Sequence, residues 1–407
     1  MKKFYHTIRS FSLNLVLESI SVLDILRFTL IVVMPFHRLK RVKTMLYKNA
    51  YFFNSGRAAI FIACSTIVDK FNKRNKFPSE KNRPEIIIPA YSCIVVRNSV
   101  EAAGAKPVLV DIRRDNLQYD LSKLEDAIGE DTTAIITQSI FGQSDFSDVE
   151  YIKKNYSNLC VIQDHAHLPL DTKNCLADFR IHSFEQSKPS TCWTGGCLVV
   201  SPENQGLVDK YYNQLHKESY LEAVKSLSSI ILYYLAYKSF LRVIFFPLLL
   251  ILIRIIGIKN SINEHEVSGK FDASKVKKLN IEKKKFILSQ QSNLDNMTNR
   301  NLVNYNILTE SLGLEQFCEP TQFPLRFPLL VDNREKFVKL CKGDGLTVGL
   351  WFVSPVHPKL NWEKLIEKNS SEIPNATYLS NMMINLPLGI RSQKKLDQLI
   401  KIVKLYK

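Results

Sequence analysis

Between about residues 50 and 200 short apolar runs alternate with stretches of helical spacing, and this alternation constrains the fold more than any other feature. Glu85-Ile-Ile-Ile-Pro89, Lys106-Pro-Val-Leu-Val-Asp111, Ala134 to Gln138 and Cys160-Val-Ile-Gln-Asp164 predict buried strands. Ser55 to Asp69 follows the Asn54-Ser55-Gly56 turn and spaces Ala58, Ala59, Phe61, Ile62 and Ile67 as one helical face. Val95 to Ala103 (stopped by Gly104), Leu121 to Ile128 and Val149 to Tyr156 read as further helices. Strand and helix in turn, with short connections, predict an α/β domain with a largely parallel sheet covered on both faces. Such sheets bind ligands at the carboxyl ends of their strands. Asp164 and Pro89-Ala90-Tyr91 are therefore expected to line one site.

The 407 residues allow two or three domains, and 45% apolar with 23% charged residues excludes a disordered chain. The formal charge of +16 calls for an anionic partner: nucleic acid, a membrane surface or a phosphorylated substrate. No GxGxxG or GxxxxGK[ST] follows any predicted strand, which removes the dinucleotide and P-loop readings. Basic residues gather around the apolar stretches and in the C-terminal half, not among aromatics on one element, so no nucleic acid is expected. The eight cysteines form no CxxC pair, so no metal is expected, and they read as buried thiols of a reducing compartment. Met-Lys-Lys followed by apolar residues from Phe11 resembles an export signal. Glu18, Asp24 and Arg27 interrupt it and no small-residue cleavage site follows, so the expected location is cytoplasmic.

Two apolar stretches stand out. Leu13 to Phe36 is broken by Glu18, Asp24 and Arg27 and followed by Arg38, Lys40, Arg41, Lys43 and Lys48, as in a helix lying on an anionic surface. Ser226 to Ile258 carries only Lys238, Arg242 and Arg254, and Pro247 divides it. Its uninterrupted run, Val243 to Ile253, is short of the roughly 20 residues of a spanning helix. Peripheral or monotopic contact with the inner face of the cytoplasmic membrane through 13–36 and 226–258 is the expectation. A buried helical hairpin or an oligomer interface is the alternative.

Four pieces carry chemistry. Asn54-Ser-Gly-Arg-Ala58 opens a helix whose first N–H groups suit a phosphate, as many helix starts do. Asp164-His-Ala-His167 places a carboxylate at a strand end, where it suits either a protonated ring nitrogen or a cap on the next turn. Ser183-Phe-Glu-Gln-Ser-Lys188 sets a hydroxyl five residues before a lysine. Gly195-Gly196 leads into the strand Cys197-Leu-Val-Val200, and a lysine ahead of such a strand is more often a surface residue.

Taken together, the chain resembles the DegT/DnrJ/EryC1/StrS family of pyridoxal-phosphate sugar aminotransferases. NSGRAA (54–59), IIIPAYSC (86–93), EAAGAKPVLVDI (101–112), FGQ (141–143), VIQDHAH (161–167), HSFEQSKPSTCWTGG (182–196), FPLLVDNREKF (327–337) and INLPLG (384–389) fall in the family's order. The resemblance implies an α/β, fold-type I pyridoxal-phosphate transferase: a mainly parallel seven-stranded sheet with helices on both faces, and a small C-terminal α/β domain. It makes Lys188 the residue that forms the Schiff base with pyridoxal 5'-phosphate and moves the proton, and Asp164 the partner of the pyridine nitrogen. His167 would lie near the phenolic oxygen, Ser183, Gly56 and Arg57 at the phosphate, and Tyr91 or Cys93 at the ring. Cys93 stands where many relatives carry an aromatic, and Gln138 where His is frequent. No Asn-Tyr-Arg block precedes the small domain, and Ser268-Gly-Lys-Phe271 lies near its place.

The implied activity is transfer of an amino group, from glutamate, to a nucleotide-linked keto-sugar of surface polysaccharide biosynthesis, by a homodimer. The alternatives are another pyridoxal-phosphate reaction on sugars, such as dehydration, and a catalytically silent membrane-associated scaffold. The expected domains are a membrane-surface segment over 1–46, a large cofactor domain over 47–290 with an apolar insert at about 217–260, and a linking helix with the small domain over 291–407. One long helix over roughly 280–310 is expected to lead into the small domain, with strands at 327–331 and 346–351. Trp351, Ser354 and His357 are within reach of the substrate, with Trp351 read as packed core.

Overall fold

The structure is a computed structural model that describes residues 20–34, 49–74, 83–143, 147–172, 176–238, 264–314, 323–359, 362–365 and 372–406. Its strands are β1 (Ala50–Phe53), β2 (Glu85–Pro89), β3 (Ser92–Cys93), β4 (Lys106–Val110), β5 (Thr132–Gln138), β6 (Cys160–Asp164), β7 (Phe179–Ser183), β8 (Gly196–Val200), β9 (Arg326–Leu330), β10 (Val356–His357) and β11 (Met383–Pro387). The first six helices are α1 (Val22–Val33), α2 (Gly56–Arg74), α3 (Ile94–Ala102), α4 (Leu121–Ala127), α5 (Ser147–Asn155) and α6 (Gln205–Gln214). Then come α7 (Tyr220–Lys238), α8 (Glu264–Val267), α9 (Ile281–Gln290), α10 (Leu294–Leu312), α11 (Arg334–Gly343), α12 (Pro374–Met382) and α13 (Gln393–Tyr406).

Seven strands form one sheet in the order β1-β8-β7-β6-β5-β2-β4. β8 runs antiparallel to both β1 and β7, and the remaining neighbours are parallel. The α/β expectation therefore holds for its centre. β2 and β8 are buried along their whole length, which is why they read as continuous apolar runs and not as alternation. Apolar residues of α2 and α3 cover one face, joined by Ile88, Ile162 and Ile181 from the strands. Ile87, Val108, Ile135 and Val161 point to the other face and meet Leu124, Val149 and Ile152 from α4 and α5. Both cores are apolar, and polar residues gather at the carboxyl edge between them.

The small domain packs α10, α11 and α13 on the antiparallel pair β9–β11. Two expectations change here. Residues 346–351 do not form a strand: only Gly349 bridges Asn385, through two backbone hydrogen bonds of 2.7 and 3.0 Å. The next rung is taken by the Asn385 side chain, whose Nδ2 donates to the Trp351 carbonyl (3.2 Å). The linking helix is not continuous either, since α9 and α10 are separated by a 3₁₀ turn over Gln291–Asn293. Gln290 at that turn exchanges two hydrogen bonds with the backbone of Thr191, and Gln291 Nε2 donates to Ser190 Oγ. These ties outside the helix fix where it bends.

The described half of the apolar insert is α7. Its Ala223, Leu227, Ile230 and Tyr233 join Phe28 of α1 and Phe286 of α9 in one apolar cluster, with Phe28 and Phe286 stacked at 4.2 Å. Residues 239–258 of the insert, the basic cluster 38–48 and residues 13–19 lie outside the described residues. Among the described residues no helix is long and apolar enough to cross a membrane.

Candidate active site

The carboxyl ends of β6 and β7, the amino end of α2 and the loop between β7 and β8 meet at one edge of the sheet. A Cβ on Gly196 would fall 2.4 Å from the Ser55 carbonyl and 2.5 Å from the Gly56 nitrogen. A Cβ on Gly56 would sit 3.1 Å from Ser183 Cβ and 3.2 Å from its Oγ. Glycine at both positions thus lets the start of α2 drop onto the ends of β7 and β8. First-turn N–H groups of a helix have no partner within it, so they face whatever lies beside the Ser183 hydroxyl.

Lys188 follows Ser187, whose φ of 65° is left-handed, a strain of about 1–3 kcal/mol for a non-glycine residue. Burial lowers the Lys188 ammonium below the ordinary lysine range; Asp164, Glu185 and Cys93 oppose the shift, and Arg326 adds to it. Burial likewise raises the Asp164 carboxyl, against the pull of the Ala166 N–H (3.0 Å) and of Lys188. The Cys93 thiol is raised by burial and stays protonated at neutral pH, although Lys188 and Arg57 pull the other way.

His167 is held in one tautomer. The Phe141 N–H donates to its Nδ1 (3.0 Å), which leaves the ring proton on Nε2. Burial keeps the imidazole neutral, helped by the charges of Lys188 and Arg326. Phe141 takes the left-handed φ of 60° in making this bond, and its carbonyl accepts from Leu325 (2.7 Å), which leads into the small domain.

Arg57 is arranged differently from a simple phosphate contact. Its Nη2 lies 3.1 Å from Glu185 Oε1 and its Nη1 pairs with Glu266 of α8. The half-buried Glu185 and the buried Glu266 thus hold its guanidinium, while its backbone stays in the first turn of α2. Tyr91 is fully buried: its hydroxyl accepts from the Phe352 N–H (2.6 Å) and its ring packs on Phe352 at 5.2 Å, tying the small domain to the end of β2. Cys93 remains half-buried at the end of β3, which pairs in parallel with β10.

Trp351 is partly buried and packs against two apolar clusters, and it also faces the site: it stacks on His167 at 4.9 Å and 23°, and its ring lies 5.3 Å from the Lys188 Nζ. Arg326 of β9 approaches the same ring at 5.9 Å. Neither carries a periodic signal, because both come from the small domain and reach the site only by tertiary packing.

A family model for the DegT/DnrJ/EryC1/StrS aminotransferase family matches residues 47–244, the stretch that carries every one of these large-domain groups except Glu266. The match covers the large domain, just under half of the chain. Over 127 residues it is 32% identical to the UDP-2-acetamido-2-deoxy-3-oxo-D-glucuronate aminotransferase of Pseudomonas aeruginosa, which is 30% of this chain and 35% of that protein. The match therefore spans about a third of the length of that relative. Among solved structures, PseC of Helicobacter pylori, an aminotransferase of pseudoaminic acid biosynthesis, is similar with a TM-score of 0.65 at 16% identity, covering 95% of this chain and 97% of that one. The PLP-form of the sugar aminotransferase Spr1654 of Streptococcus pneumoniae gives a TM-score of 0.64 at 18% identity, covering 95% and 96%. These likenesses extend the DegT/DnrJ/EryC1/StrS fold across the small domain, beyond the stretch matched by sequence.

The donor set fits the family's cofactor. A buried carboxylate with a raised pKa suits a ring N–H, a lysine with a lowered one suits an aldehyde carbon, and the Gly56–Ser183 cradle suits a phosphate.

Proposed function

We propose that this protein is a pyridoxal-phosphate aminotransferase. It passes an amino group, with glutamate as donor, to a nucleotide-linked keto-sugar for surface polysaccharide, as a homodimer at the inner face of the cytoplasmic membrane. The observation that carries the chemistry is the convergence of Lys188, Asp164, His167 and the Gly56–Ser183 cradle from separate stretches of chain. The name of the Pseudomonas aeruginosa relative supplies the acceptor class.

Pyridoxal phosphate, when bound, supplies an electron sink and a carbonyl carbon that can carry nitrogen. Lys188 acts with its Nζ, taking a proton from the substrate carbon and returning it; its lowered pKa raises the neutral fraction that this requires. Asp164 keeps a proton on the ring nitrogen, and burial makes that ion pair strong. His167 presents Nε2–H to an oxygen and holds it without adding charge. Gly56 and Arg57 N–H groups and the Ser183 hydroxyl bind the phosphate, and Cys93 lies at the ring. Trp351 lies over Lys188 and His167 and excludes water from the reacting edge. A dehydratase shares the fold, GDP-4-keto-6-deoxymannose-3-dehydratase with a TM-score of 0.65 at 16% identity, so the fold leaves the reaction open and Lys188 favours transamination.

The test is the visible spectrum of the purified protein. A yellow band that glutamate bleaches, and that Lys188→Ala lacks, is the expected result. A protein that stays colourless after addition of pyridoxal phosphate overturns the reading.

A further inference from the structure

Helix α1 is amphipathic in the wrong sense for a helix on a water-facing surface. Its outward side carries Leu23, Leu26, Leu30 and Val33, between 49% and 65% exposed. Its acid, Asp24, is instead buried: it accepts from the Ser21 hydroxyl (2.6 Å) and from Asn293 Nδ2 (3.3 Å), the second anchoring α1 to the start of α10. The capping box with Ser21 uses up that charge inside the protein. Across the groove Tyr220 of α7 donates from its hydroxyl to the Val32 carbonyl, and Leu221 beside it is 57% exposed. The apolar strip therefore continues from α1 onto α7. Isolated exposed leucines are ordinary, but a continuous strip on two packed helices marks a contact surface.

We infer that this face is where the protein lies on an anionic lipid surface. The inference deepens the membrane part of the proposed function and rests on it, but it does not depend on the transamination chemistry. Charge decides the occupant. The sequence carries +16, and the residues that follow α1 include Arg38, Lys40, Arg41, Lys43 and Lys48. A second copy would bring like charge to the same contact, whereas anionic headgroups bring the opposite sign. α7 also leads directly into the sequence SFLRVIFFPLLLILIRIIGI (239–258), which has two charges, both basic. In sequence, the stretch after α1 is basic and the stretch after α7 is apolar, and both compositions suit a lipid surface. Leucines of the strip enter the headgroup boundary, and the net positive charge of the chain draws it to anionic headgroups.

The experiment is flotation of the full-length protein with vesicles of phosphatidylcholine alone or with phosphatidylglycerol, at low and high salt. The comparison is with Leu26→Glu/Leu30→Glu, whose positions are outward and touch no site residue. The wild type is expected to float with the phosphatidylglycerol vesicles, less so at high salt, and the double variant to lose about tenfold of its bound fraction. Uptake of pyridoxal phosphate by the variant checks that it is folded. A wild type that stays with the pellet overturns the membrane reading as a whole. A folded variant that floats as well as the wild type overturns only the assignment to α1. A wild type that is dimeric without lipid, with a variant that is monomeric, shows that a second copy covers the strip and overturns the inference.

Discussion

The carboxyl edge of the sheet and the α1–α7 flank both break the rule that charge lies outside and apolar surface inside, but in opposite directions. At the sheet edge Lys188, Asp164, Arg57, Glu185 and Glu266 are withdrawn from water. On the flank large apolar side chains face it. Each departure costs stability when the chain is alone, so each marks a place where something else completes the structure. The difference lies in what completes it: polar groups aimed at a small anion and a ring in one place, an extended apolar surface in the other.

The largest effect tests the sheet edge. Lys188→Ala is expected to lower transamination by more than about 10³-fold, by removing both the attacking amine and the proton carrier. Removal of a buried cation in a strained loop is also expected to leave the unfolding midpoint unchanged or raised. A large drop in that midpoint would show that the buried charge serves the fold and would break the contrast. Calorimetry and a coupled keto-acid assay read the two halves.

Next comes a pair of substitutions with opposite expected results. Gly142 has φ +84°, and a Cβ there would lie 1.9 Å from the Phe323 carbonyl, where the small-domain chain crosses the site edge. Gly142→Ala should cost more than about 3 kcal/mol, since rigid backbone on both sides has to move. Leu30→Lys on the flank should fall within about 0.5 kcal/mol of the wild type in lipid-free buffer. Denaturant unfolding compares them directly, and equal costs would mean that the flank is packed as tightly as the site.

How far each region was legible follows from the range of the interactions that define it. β2, β4, β5 and β6 could be read because local apolar runs bounded by Gly, Pro or Asp specify buried strands. Asp164 could be placed because the topology delivers strand ends to one edge, whereas Ser183 and Lys188 stood out only through the resemblance carried by HSFEQSKPSTCWTGG (182–196). Trp351 could be placed within reach of the substrate but not over His167, since its apparent strand is a single Gly349–Asn385 bridge and its position comes from the small domain. Glu266 carried no signal either: it reaches Arg57 across 209 residues of sequence. In α1 the periodicity was visible, but which side faced inward was not, because a buried acid capped by Ser21 reads in sequence like a solvent-facing one.

A third prediction concerns pH. His165 and His182 pack edge to face at 5.7 Å on the side of the sheet opposite Asp164 and Ser183, and burial lowers His182 to about 3 and His165 well below its ordinary value. His357 is lowered to about 3 by burial and Arg334. A histidine whose folded pKa lies below its unfolded one contributes stability that is complete above about 6.5 and is lost as pH falls toward the folded value. Asp164, with a raised pKa, contributes in the opposite sense. The unfolding free energy should therefore drop by roughly 1 kcal/mol per pH unit for each such imidazole between pH 6.5 and 4. His182→Phe should flatten that limb, as read by denaturant titrations across the range. A limb that is unchanged would place acid sensitivity elsewhere.

The smallest expected effect sharpens the comparison most. Glu185 and Glu266 set two negative charges against the single positive charge of Arg57, beside the cradle that is to receive a phosphate. A residual negative charge there opposes anion binding, so its removal should favour the anion. Glu266→Gln leaves Arg57 its pair with Glu185 and should lower the dissociation constant of inorganic phosphate about threefold, with pyridoxal lacking the phosphate unaffected. Competition of phosphate against uptake of pyridoxal phosphate, followed by absorbance, measures this. If the triad served the fold, the same substitution would loosen the start of α2 and weaken phosphate binding, so the sign of the change separates a buried charge set for a ligand from one set for packing.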